Sequence, residues 1–97
     1  MTKNRMIEKF GRPKVVKRTP EEIAANKASY MQIVASFAME GHEPDDFGKV
    51  VTMERIRGEL TLEQEKLILI EALPEETARI NAKIARLHEL GLSWKDL

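Results

Sequence analysis

From Pro20 to Leu97 the apolar positions recur at three- and four-residue intervals and fall into four runs, each bounded by a capping residue, a glycine or a proline. The first run opens at Thr19-Pro20-Glu21-Glu22, which places an N-cap hydroxyl, a first-turn proline and a glutamate at the third helical position. It continues through Ile23, Tyr30, Ile33, Val34 and Phe37 to Glu40, and Gly41 supplies the left-handed residue that ends a helix. His42-Glu43-Pro44 is a connector. Asp45 or Asp46 caps a second, short helix carrying Phe47, Val50, Val51 and Ile56, and Gly58 stops it. Thr61-Leu62-Glu63-Gln64 is a second capping box, opening a third helix through Leu67, Ile68, Ile70 and Leu73. Pro74 starts a fourth, in which Ile80, Ile84 and Leu87 repeat until Gly91, and Ser93 to Leu97 form a last turn whose Trp94 folds back on an apolar surface. Strand-like alternation and internal repeats do not occur, so the predicted class is all-α, with three to four short helices.

The first helix departs from the usual amphipathic pattern. Between Tyr30 and Met39, eight of ten residues are apolar (Tyr30, Met31, Ile33, Val34, Ala35, Phe37, Ala38, Met39), and only Gln32 and Ser36 are polar. Gln32, Ser36 and Glu40 stand in single file at i, i+4 and i+8. A helix that is apolar nearly all round is normally buried, and the short helices that follow can cover one side of it. The pattern therefore admits two arrangements: the central helix of a small bundle with its polar file in water, or a helix whose second side is covered by another protein. Glu40 favours the second, because a carboxylate in a last turn lies at the negative end of the helix dipole and is relieved by a cation.

Composition narrows the function classes. A chain of 97 residues has a thin core, and the absence of cysteine excludes disulfides and thiolate metal sites and fits a reducing compartment, from which a cytoplasmic location is expected. No apolar run reaches the length of a membrane span and the first twenty residues lack a signal-peptide core, so no membrane association is expected. His42 and His88 fall in no metal or nucleophile spacing, and there is no glycine-rich phosphate loop. No enzyme activity, cofactor, metal or catalytic residue is expected. The net charge of zero is uneven: residues 1–18 hold seven basic side chains (Lys3, Arg5, Lys9, Arg12, Lys14, Lys17, Arg18) against Glu8, leaving the remainder at minus six. Such an arm is either a solvated tail or a contact to nucleic acid or to an acidic partner.

The stretch Ser36-Phe37-Ala38-Met39-Glu40-Gly41 reads S-x-x-x-E-G, a hydroxyl and a carboxylate on one helical face followed by glycine. It resembles the inhibitory motif of proteins that hold Fic-domain adenylyltransferases inactive. Together with the two short helices that follow, residues 20–73 are similar to the VbhA-type antitoxins of class I Fic toxin–antitoxin systems. The resemblance implies a tight heterodimer with a Fic-domain protein that transfers AMP from ATP to a hydroxyl of its target through a loop of the form HxFx(D/E)GNGRxxR. In that family the glutamate pairs with the last arginine of the loop, the γ-phosphate clamp. This gives Glu40 the inhibitory role, Ser36 a hydrogen bond in the same pocket, and Gly41 the clearance for the chain to leave. Tyr30, Met31, Ile33, Val34, Phe37 and Met39 are the expected partner-binding residues. The organisation that follows is a basic arm at 1–18, an antitoxin core at 19–73 with its inhibitory helix at 20–40, and an additional helix and tail at 74–97.

Two further readings stay open. Residues 46–73 outline a helix-turn-helix, the frame of a small DNA-binding regulator, although Glu63 and Glu65 in the first turns of its second helix would meet phosphates. A helical scaffold protein is the third.

Overall fold

A computed structural model describes residues 17–71 and 73–97. It contains four α-helices, α1 (Pro20–Met39), α2 (Asp46–Ile56), α3 (Leu62–Glu71) and α4 (Pro74–Glu89), and a closing 3-10 turn (Trp94–Asp96). The described residues contain no strand, and the chain is a small all-α fold. All but the last two residues of the basic arm, Lys17 and Arg18, lie outside the described residues.

The capping residues act much as the sequence predicts. The Thr19 hydroxyl accepts from the Glu22 N–H at 3.1 Å, while the Glu22 carboxylate takes the Thr19 hydroxyl rather than its backbone N–H, so this box closes on one side only. Asp45 is the cap of α2, its Oδ1 accepting from the Gly48 N–H at 2.8 Å. A Cβ at Gly48 would lie 3.2 Å from that same oxygen, which explains a glycine inside a helix. Thr61 and Gln64 form the full reciprocal box, at 3.1 and 2.8 Å.

The packing centres on α2. It touches α1, α3, α4 and the 3-10 turn. Val50, Val51, Met53 and Ile56 are at most 2% exposed. Around them gather Val34 from α1, Leu60, Leu67 and Ile68 from the α3 side, Leu73, and Ile80 and Leu87 from α4, with Trp94 closing the end. Residues 74–97 therefore belong to one core with residues 19–73, and the boundary expected at 73/74 marks no structural division. Ile70, expected on the buried stripe of α3, is 79% exposed, because Leu67 and Ile68 take the inward positions and two residues, about 200° of rotation, carry Ile70 to the outer side.

Charged side chains also enter this core. Glu54, on α2, is 2% exposed, and both its oxygens are held from α4: Arg79 donates to Oε2 at 2.6 Å and to Oε1 at 2.8 Å, and Lys83 donates to Oε2 at 2.8 Å. Arg79 is itself oriented by Glu76 at 2.9 Å. From the next position of α2, Arg55 donates to Glu65 of α3 at 2.8 Å. Burial alone pushes the Glu54 carboxyl up, but the bonds and charges of Arg79 and Lys83 outweigh it and hold the group below its ordinary value.

Two outcomes follow for stability. A carboxyl whose folded pKa is depressed contributes stability that is present above its unfolded value of about 4.5 and is lost as the pH falls through the lower folded value. The urea midpoint should therefore be steady near neutrality and fall below about pH 4.5, and Glu54→Gln should flatten that fall. Arg79→Ala leaves Glu54 buried with Lys83 alone and should cost about 2 to 4 kcal/mol in equilibrium unfolding. Glu54→Gln should cost less, because Arg79 and Lys83 are partly exposed and can turn to water.

Candidate functional site

α1 meets the rest of the chain along one narrow stripe. Ile23, Lys27 and Tyr30 are half-buried, Val34 is 5% exposed, and every other described residue of the helix is exposed. The spacing of these four, at i, i+4, i+7 and i+11, is a single helical face. Tyr30 stands edge-on to Trp94, with ring centroids 5.5 Å apart and planes at 73°, and burial pushes its phenol up. From Ala35 to Glu43 no residue is buried even in part, so the last turn of α1 stands clear of the body.

Within that free end lie the motif residues. Ser36, Glu40 and Gly41 are all exposed. Glu40 caps the helix in the right-handed conformation, and its backbone N–H is shared between the carbonyls of Ser36 and Phe37 at 3.3 and 3.1 Å. Gly41 turns left-handed at φ 78°, and the next N–H, of His42, donates back to the Phe37 carbonyl at 2.7 Å, while the Gly41 N–H reaches Ala38 at 3.1 Å. This is a Schellman ending, and it fixes the backbone on which the Glu40 side chain is mounted. Among the described residues neither the Ser36 hydroxyl nor the Glu40 carboxylate has a side-chain partner. The first cation further along the chain, Lys49, is bound by Glu43 at 2.7 Å. A carboxylate at the negative end of a twenty-residue helix, without a compensating cation among the described residues, is an acceptor site for a guanidinium or ammonium.

The six apolar residues expected to bind a partner divide into two sets. Met31 (37%), Ile33 (48%), Phe37 (43%) and Met39 (90%) are exposed and flank the polar file. Val34 is in the chain's own core and Tyr30 is half-buried against Trp94, so these two do not belong to the outer surface; both lie on the stripe that α2 and the 3-10 turn cover. In a helix apolar on nearly all sides the period alone does not say which apolar face points inward.

The remaining sequence candidates are also positioned. Glu65, expected on the exposed face of a DNA-reading helix, is 7% exposed and paired with Arg55. The outer face of α3 presents Leu62, Glu63, Leu69 and Ile70 around the one cation Lys66. His88 lies 3.8 Å from Asp46 on the surface. Among the described residues no group of three or more His, Cys, Asp or Glu side chains converges as a metal site, and no helix is long and apolar enough to cross a membrane. Sequence reasoning passed over Lys49, which is 7% exposed and joins Glu43 in the loop after α1 to the face of Trp94, 5.5 Å from its ring centroid. Its only sequence signal is its place one turn after a helix cap.

No known protein family, curated protein or solved structure matches the chain.

The two faces of α1 should separate by mutation. Phe37→Gln and Met39→Gln should change the unfolding free energy of the isolated chain by less than about 1 kcal/mol, whereas Val34→Ala should cost roughly 1 to 3 kcal/mol. Thermal melts of the three variants check this.

Proposed function

We propose that the chain is an antitoxin that inhibits a Fic-domain adenylyltransferase by inserting the end of α1 into the partner's active site. The observation that carries this reading is the pairing of two unusual features on one helix end: a hydroxyl and a carboxylate one turn apart, Ser36 and Glu40, without side-chain partners among the described residues, set among exposed Met31, Ile33, Phe37 and Met39. Each feature alone is ordinary. Together they make an apolar anchor around a polar probe, which suits a pocket that is apolar at its walls and cationic at its floor.

In this reading Glu40 receives the guanidinium of the arginine that would clamp the γ-phosphate of ATP. A carboxylate and a guanidinium match as a two-bond fork, and the negative end of the helix adds to the attraction. The arginine so engaged no longer holds the γ-phosphate, and the α-phosphorus is not presented in line with the attacking hydroxyl. A displacement of about 1 Å costs on the order of a hundredfold in rate. The Ser36 hydroxyl, one turn back, bonds within the same pocket, and Gly41 gives the chain its exit. Affinity comes from the outer apolar set, where full burial of a large apolar side chain contributes roughly 1.5 to 3 kcal/mol. Binding and inhibition are thus carried by different side chains.

Co-expression with a Fic enzyme encoded beside the gene tests this division. Glu40→Gly should still co-purify with the enzyme but restore transfer of AMP, whereas Phe37→Asp should abolish co-purification. Equal transfer with wild type and Glu40→Gly would overturn the reading.

A further inference from the structure

The last residues of the chain make contacts that nothing in the proposed inhibition requires. Trp94 is 7% exposed, and its ring receives the edge of Tyr30 from α1 and the ammonium of Lys49 from α2. Lys27, on the same stripe of α1 as Tyr30, donates to the backbone carbonyl of Leu97 at 3.2 Å. Two of the four inward residues of α1 therefore bind the turn at 93–97. The turn is itself closed by a reciprocal cap: Asp96 accepts from the Ser93 N–H at 2.8 Å and the Ser93 hydroxyl accepts from the Lys95 N–H at 3.3 Å. Lys49 extends the arrangement to the other end of α1, because it also binds Glu43, three residues beyond Glu40.

We propose that the turn at 93–97 is a latch that holds α1 against the body and so sets the direction in which Ser36 and Glu40 are presented. Without it α1 keeps Ile23 and Val34 on the core and the Tyr30 hydroxyl beside Thr52 of α2, a sparse contact along a helix about 30 Å long. A helix held so sparsely opens as a unit while the core of α2, α3 and α4 stays closed. Trp94 is then a positioning residue for α1. Its consequence for inhibition rests on the reading above, but the latch itself does not, since it is defined by contacts within the free chain.

Hydrogen exchange of the free protein, resolved by helix, tests the latch without any partner. In Trp94→Ala, amides of α1 should exchange faster by on the order of a hundredfold, at least tenfold beyond any acceleration of the protected amides of α2 and α4, whose core the ring also closes. Trp94→Phe, which keeps a ring for Tyr30, should restore most of the protection. Asp96 is exposed, so Asp96→Ala leaves the core intact should Trp94→Ala fail to fold. It should speed exchange in α1 by roughly fivefold and shift the emission of Trp94, the single tryptophan, to the red. Equal acceleration in all four helices, or a shifted Trp94 emission with α1 protection unchanged, would overturn the proposal.

Discussion

The structure depends on a carboxylate buried in its core. Glu54 lies on α2, the helix that every other element touches, and taking it out of water is tolerable only because Arg79 and Lys83 of α4 reach both its oxygens. This fixes how α4 lies on α2 in a way that apolar contact alone does not, since Val50, Met53, Ile56 and Ile80 would accept small shifts that a two-bond carboxylate fork does not. Once α2 and α4 are registered, the Arg55–Glu65 pair ties α3 to α2, and α1 packs on what remains of α2. The interaction that orders the core is thus remote from the motif, and the motif helix is the element least engaged in it.

This explains which parts of the fold were legible in the sequence. Helix starts and stops were, because Thr19, Asp45, Thr61, Pro74, Gly41 and Gly91 act through local hydrogen bonds and backbone preferences that need no knowledge of the rest. The fold-back of Trp94 was legible too, since a tryptophan after a helix-ending glycine has an apolar ring to cover. The choice of central helix was not. By composition α1 looks buried and α2, with Lys49, Glu54 and Arg55, looks like a surface helix, yet α2 is central and α1 peripheral. A buried charge has the same letter as an exposed one, and only its partners, 25 and 29 residues away, distinguish them.

The candidate site shows the same limit at a finer scale. That Ser36 and Glu40 share a face follows from their spacing, and that Gly41 turns left-handed follows from its type. The division of Met31, Ile33, Phe37 and Met39 from Val34 and Tyr30 does not follow, because it is decided by Trp94 and the core cluster, which come from elsewhere in the chain. Ile70 was misplaced for a related reason: with apolar residues at four consecutive positions, 67 to 70, period alone selects no face.

Folding places few demands on α1. Its capping residues, Ile23, Lys27, Tyr30 and Val34 account for its attachment, and a helix needing no more than this would ordinarily carry polar residues over the rest of its surface. Instead, from Met31 to Met39 it carries large apolar side chains that the body leaves exposed, and the face opposite the buried stripe holds a hydroxyl and a carboxylate in register. Exposed apolar groups contribute nothing to the stability of the isolated chain and expose it to association. They gain free energy only when something covers them, and a cover that reaches Phe37 and Met39 must also meet the carboxylate of Glu40 within the same turn. Such a cover needs a cation beside an apolar wall, a more demanding specification than hydrophobicity alone, and it is this joint requirement, rather than the six letters of the motif, that supports an active-site arginine as the group Glu40 engages.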